Sequence, residues 1–505
     1  MINSDTEQYR IFINNLQREE FRHSALNDIK NLLTFKPARE AIGTIQNVGI
    51  TKIVRCLNVP EKTHVDLTCE VLRICFEKFN PGDVIKTYTG HIMYLLRHEK
   101  SCVRKLAIDE VYKALSTDIN TLPVAEYQDV FVATGQMVTD EDLGVANTAI
   151  QITSMLPPEA YPRVLEEMKI AFDGSSSVKC NAFEVAINIS IRAPELFRLC
   201  ADQEYIDFMV SELNTNDVLY QLNILELLSQ LAVKAHGISY LVQRGVLQKI
   251  AVLVEALHRN LLGSLLVPGY LKFFGAVAHS YPREILDKYP ILVECLFDTI
   301  DSGDPGTLPV ALDTLGFIGN TIEGKLCLAS LGSKYTQAIQ KVGQIVRNSP
   351  SDMKVRALQC YASLIGYSQD PSAPKSGPID HRVTLMTREW FRTLSTNPGP
   401  METLFEMCKY PFPDIKFAAF SLLDSVCQHQ WGEELVARTA GFVEFLLDRG
   451  MDQTKEAKEA KYDIIRRLSH SPAFDSNILM RLQTYVEQGP FYSEDALQVA
   501  MEEGD

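Results

Sequence analysis

The chain is sparing with the residues and spacings that most catalytic and targeting motifs require. It holds two tryptophans, Trp390 and Trp431. Its 11 cysteines are scattered singly from Cys56 to Cys427 with no C-x-x-C pair. That pattern fits buried thiols in a reducing compartment and suggests no structural metal. The 10 histidines include no H-E-x-x-H and no pair at the spacing of a helical turn, so zinc or general-base chemistry has no support. No G-x-S-x-G nucleophile elbow occurs, and no cysteine can be matched to a particular histidine. The opening "MINSDTEQYRIFINNLQREE" has no apolar core, so no secretory leader is expected. Long apolar runs are also missing, with one near-exception. "LLGSLLVPGYLKFFGAVA", Leu261 to Ala278, carries Lys272 as its sole charge. Pro268 and Gly269 interrupt it, which predicts two buried helical pieces around a bend rather than a membrane span.

Basic side chains are the minority, 49 against 64 acidic ones, for a formal charge of -15. Sequence-independent attraction to nucleic acid or anionic lipid is therefore not expected, and a partner with a basic surface is. With 46% hydrophobic and 22% charged residues over 505 positions, the chain has a sizeable core to bury. Its length calls for several domains or one repeat array.

A repeat is present. Breaker or acidic clusters lead into helical runs at Ser101 ("SCVRKLAIDEVYKAL"), Glu141 ("EDLGVANTAIQI"), Ser176 ("SSVKCNAFEVAINI") and Asn216 ("NDVLYQLNILELL"). The form returns at Gly306 ("GTLPVALDTLGFIG"), Ser351 ("SDMKVRALQCYASL") and Phe412 ("FPDIKFAAFSLLDSV"). The first apolar residues Val103, Leu143, Val178 and Val218 lie 40, 35 and 40 residues apart. Leu308 and Met353 are 45 apart, and the 90 residues from Val218 to Leu308 leave room for one more unit, where the apolar run lies. Such periods, with two or three helices each, mark HEAT and armadillo arrays.

Inside the runs, Ile415, Ala419, Leu422, Leu423 and Val426 share one helical face, as do Val178, Ala182, Val185, Ala186 and Ile189, and Met353, Ala357, Cys360, Tyr361 and Leu364. Strand alternation is nowhere sustained. Units of about 40 residues bury too little to stand alone and must stack. The expected fold is all-α, a HEAT/armadillo-like α-solenoid of stacked helix pairs in a curved superhelix over residues 1–505. Ser368 to Arg382, "SQDPSAPKSGPIDHR", reads as an exposed loop insertion, and 493–505 as a flexible acidic tail.

Three motif matches dissolve on inspection. "GNTIEGK" supplies Gly319, Gly324 and Lys325 of a phosphate-binding loop. Leu326 stands where a hydroxyl is needed, and a helix rather than a strand leads in. "NIS" at Asn188 fits a glycosylation site but lies on an apolar helical run. The Leu-Leu pairs are what a broad core-facing stripe produces.

Particular segments then resemble one family. "VPGYLKFFG" from Val267, "KYPILVECLF" from Lys288, "ALDTLGFIGNTIEGKLCL" from Ala311, "TREWF" at Thr387, "GFVEFLLDR" at Gly441, "EAKYDIIRRL" at Glu459 and "EQGPFY" at Glu487 are similar, in order and spacing, to the proteasome non-ATPase regulatory subunit 5 family. The resemblance covers roughly Val218 to Tyr492. It implies an assembly chaperone of the proteasome regulatory-particle base that binds the C-terminal domain of the first regulatory AAA ATPase. It further implies a precursor with the second ATPase and the largest non-ATPase scaffold subunit, and departure before the proteasome is complete. No catalytic residue, metal or cofactor comes with it, and no small-molecule substrate, nucleic acid or membrane is expected. The free chain is expected to be a monomer, cytoplasmic and in part nuclear. Candidate partner contacts are Tyr270, Lys272, Phe273 and Phe274 in the most recognisable segment, and Phe491 and Tyr492 at the end of the array. The alternative reading is an armadillo or HEAT adaptor, as in nuclear transport, against which stands the lack of repeated Trp and Asn on inner helices.

Overall fold

In the computed structural model, residues 2–257, 263–367, 381–450 and 454–492 are described. They form thirty α-helices, with short 3-10 turns and no strand among the described residues. All seven runs singled out by periodicity are helices, beginning at Ser101, Leu143, Ser176, Val218, Leu308, Ser351 and Pro413. Polar side chains start several of them. Asp142 accepts from the amides of Gly144 (2.9 Å) and Val145 (3.2 Å), and Ser175 accepts from Val178, so orphan donors of the first turn are satisfied. The predicted faces are the buried ones: Ile415, Ala419, Leu422, Leu423 and Val426 are all in the core.

The chain divides into two compact units, 1–227 and 228–505, with the boundary inside the helix Val218–Ala232. In the first unit the helices Glu19–Thr34, Lys62–Glu77, Ser101–Thr117, Leu143–Met155 and Ser176–Ser190 pack each against the next. A second layer, Asp83–Leu96, Val124–Gln136 and Tyr161–Met168, follows the same order. In the second unit the succession is Gly263–Ser280, Leu308–Ile318, Ser351–Ile365, Pro413–Val426 and Lys455–Leu468. The helix Pro290–Ser302 packs on Ser333–Asn348 in its other layer.

The sequence period returns as the separation of polar contacts between neighbouring repeats. Arg356 meets Asp313, 43 residues away, at 2.6 Å; Arg467 meets Asp424, also 43 away, at 3.1 Å; Lys334 meets Glu294, 40 away, at 2.9 Å. Exposed pairs of this sort add little stability singly. Their value is register, since each fixes one helix against its counterpart.

Close approach, rather than a left-handed backbone, explains the recurring glycine just after the first helix of a pair. A Cβ at Gly237, Gly324 or Gly432 would overlap the carbonyl oxygen six residues earlier, that of Leu231, Ile318 or Val426. The turn is tight enough that only hydrogen fits. Gly324→Ala is expected to cost about 1–3 kcal/mol in urea unfolding, as for other overpacked sites. Gly43→Ala, whose Cβ would meet open space in the helix Ala38–Val48, should be neutral or slightly stabilising.

One expectation is corrected. Gly263–Ser280 is a single helix that continues through Pro268. The proline is the helix's sixth residue, so its cost of about 3 kcal/mol is met once. Burial of Tyr270, Phe273 and Phe274, each contributing about 2 kcal/mol, outweighs it. Leu261 and Leu262, the start of the apolar run, lie outside the described residues, as do 368–380 of the expected loop and the expected tail 493–505. His381 and Arg382 open the helix His381–Arg392. No helix among the described residues is long and apolar enough to cross a membrane.

Candidate functional site

The segment around Phe273 illustrates how one helix divides its residues. Tyr270, Phe273 and Phe274 are at most 1% exposed, and their helix packs on Leu308–Ile318. Lys272 points to solvent from the opposite side. The three rings therefore shape the core, and Lys272 is the accessible member of that group. Phe491 and Tyr492 are both exposed and follow the last described helix, Ser476–Gln488. Arg449 organises that end. Its guanidinium lies 3.7 Å from the Tyr485 ring and 5.2 Å from Tyr492, and donates to the carbonyls of Gly489 (2.8 Å) and Tyr485 (3.2 Å). A cation stacked on aromatic faces also satisfies the helix's C-terminal carbonyls.

The residues of the phosphate-loop match have another use. Lys325 is fully buried, and its ammonium group donates to the carbonyls of Gly319 and Ser363, at the ends of two neighbouring helices. The Gly324 amide is taken by the Thr321 hydroxyl at 3.0 Å. Neither donor is left to cradle a phosphate. Burial pushes the Lys325 amine down to about 7. His429 works beside it, its Nε2 donating to the Ile365 carbonyl at 2.9 Å, and burial pushes this imidazole down to about 4. Gln428 accepts from the Tyr367 amide at 2.7 Å. Lys325 and His429 thus finish the helix Ser351–Ile365, from 38 and 64 residues away along the chain. Sequence inspection missed this role because no local pattern links the partners.

It missed the surface grooves for the same reason. Between Pro290–Ser302 and Ser333–Asn348 lies a cavity of about 360 Å³. Glu294, Asp298 and Asp301 form one wall, Lys334 and Lys341 the other, over Phe297 and Ala338. A smaller apolar cavity of about 230 Å³ is lined by Ile238, Val242, Tyr281 and Ile285. Both are open grooves between helices separated by two others in the chain, suited to side chains of a protein partner. Among the described residues no group of three or more His, Cys, Asp or Glu is placed to hold a metal ion.

Stacked helix pairs, polar contacts recurring at the repeat distance and inter-helix grooves define an α-solenoid of the HEAT/armadillo class. The solved structure of importin beta shares this fold, with a TM-score of 0.51 at 12% identity over 89% of this chain and 63% of that one. The family model described as proteasome non-ATPase 26S subunit matches residues 6–505, and the chain belongs to that family. It is similar to the 26S proteasome non-ATPase regulatory subunit 5 of Homo sapiens, 26% identical over 94% of this chain and 95% of the relative. The protein of the same name from Drosophila melanogaster is 28% identical over 88% and 87%.

Proposed function

We propose that this chain is an assembly chaperone of the proteasome regulatory particle. It holds the C-terminal domain of the first regulatory AAA ATPase within a precursor that also contains the second ATPase and the largest non-ATPase scaffold subunit. It leaves before the particle is complete. The observation that carries this reading is the family match across residues 6–505, with relatives named as proteasome regulatory subunits aligned over nearly all of both chains. The fold supports it physically. Repeating helix pairs offer surface grooves between helices of neighbouring repeats, where a folded domain can be held by many moderate contacts. An ATPase domain so occupied is kept from docking on the core particle. Lys272, Phe491 and Tyr492 are the accessible members of the candidate contact set in the segments the family resemblance marks, and Tyr270, Phe273 and Phe274 are buried on the other side of the helix that carries Lys272.

The test is a pull-down from cytosol with the purified chain, with and without added core particle, read by mass spectrometry. Recovery of one regulatory ATPase with its neighbours and little core particle is the expected result. Retention of no proteasome subunit by a folded chain would overturn the reading. Because the chain carries -15 of formal charge, partner binding is expected to weaken as salt rises.

A further inference from the structure

We propose that the acidic segment 493–505 docks back on the outer face of the last described helix, Ser476–Gln488, and closes that end of the array. That helix packs on Lys455–Leu468, and of its 13 residues only Leu482 and Tyr485 are buried. Met480 on it is 61% exposed, and Phe491 just beyond it is 53% exposed. Interior repeats of a solenoid are covered on both sides, so a last helix with apolar side chains left open calls for a cap. A groove of about 310 Å³ lies on this surface, with Leu447, Met480 and Tyr485 as its apolar part and Arg449 and Arg481 as its charged part. A second, smaller cavity shares Arg449 and Tyr485 and adds Asp448, Lys458, Lys461 and Tyr492.

Charge and reach select the occupant. In a chain of formal charge -15, the two cavities gather four cations, Arg449, Lys458, Lys461 and Arg481, against the single carboxylate of Asp448. Arg449 and Lys461 already donate to backbone carbonyls, of Gly489 and Tyr485 and of Asp448. The side chains of Lys458 and Arg481 take no partner among the described residues. The segment "SEDALQVAMEEGD" brings Glu494, Asp495, Glu502, Glu503 and Asp505 with no basic residue, and Leu497, Ala500 and Met501 at the spacing of one helical face. Its acids complement Lys458 and Arg481, and its apolar side chains complement Leu447 and Met480. It follows directly on Tyr492, which itself lines the smaller cavity, so a short link keeps it at high effective concentration and a weak contact suffices. Exposed charges make that contact sensitive to salt. A partner that uses Met480 or Phe491 must first displace the segment.

The experiment follows oxidation of Met480 to its sulfoxide in the full chain under dilute hydrogen peroxide, by mass spectrometry. The comparison is a full chain with Glu494→Gln, Asp495→Asn, Glu502→Gln and Glu503→Gln, which alters no described residue and so leaves the folded body as it is. Met480 is expected to oxidise about threefold or more faster in the neutralised chain, because the rate scales with the fraction of molecules in which the face is open. High salt and Arg481→Glu should each raise the wild-type rate in the same way. Equal rates in the wild-type and neutralised chains would show a face left open for a partner protein and overturn the proposal. So would an Arg481→Glu rate equal to wild type, which would place the segment elsewhere. Protection that grows with protein concentration would assign the face to a second copy of the chain and overturn it as well.

Discussion

Asp140→Ala is expected to lower the stability of the first unit by about 3–5 kcal/mol, the usual cost of removing one partner from a buried ion pair. Arg104 and Asp140 come from neighbouring repeats, 36 residues apart, and their side chains are 12% and 5% exposed. The pair is bidentate: Nε donates to one carboxylate oxygen at 2.6 Å and Nη2 to the other at 2.7 Å. The remaining amino group, Nη1, donates to the carbonyls of His98 and Glu99. These bonds keep the guanidinium where it is after the carboxylate is gone, so a buried charge with two unmet donors remains. Asp140, held in place by accepting from the Asp142 amide, is also the first cause of Arg104 holding its proton more tightly than usual. Asp140→Asn, which keeps the shape and one acceptor, should lose less. Urea unfolding followed by circular dichroism measures both. A loss below about 1 kcal/mol, the range of surface pairs, would mean that the exposed Glu141, 3.7 Å from Nη2, takes over the role.

The second large effect is a change of stability with pH. Burial lowers the Lys325 amine from its ordinary 10.5 to about 7. Between those values the unfolded chain binds a proton that the folded chain has released, so stability rises with pH across the window. The full burial penalty is present below pH 7. The drop corresponds to about 5 kcal/mol in all, of which about 3 kcal/mol falls between pH 6 and 9. Lys325→Met removes this dependence and also strips the donor from the Gly319 and Ser363 carbonyls, at about 1–3 kcal/mol each. The variant should therefore be clearly less stable than wild type at pH 9 and gain on it steadily toward pH 6. Comparing the two removes other titrating groups common to both. A gap that does not vary with pH would show that the amine stays charged in the folded chain.

The fold was legible because its signals are local. Apolar residues at i, i+4, i+7 and i+8, as in Ile415, Ala419, Leu422 and Leu423, define a buried helical face whatever the neighbours are, and breaker clusters at a near-constant interval mark where each face begins. Pro268 was misread because local backbone preference pointed one way and three aromatic rings in the core decided the other. The candidate contacts were only half legible. Tyr270, Phe273 and Phe274 at i, i+3 and i+4 make the same pattern whether they meet the next helix or a partner, and only their burial distinguishes the cases.

The amino-acid sequence by itself determined the helical class, the repeat and its period, and the family, because each depends on residue type and order along one chain. Tertiary structure alone decided that Lys325 caps neighbouring helix ends instead of serving a phosphate loop, which histidine joins it there, and which acid neutralises Arg104. Those outcomes depend on groups 36 to 64 residues apart being brought within a few ångströms. Stacking sets such distances through packing and register, and no local pattern encodes them.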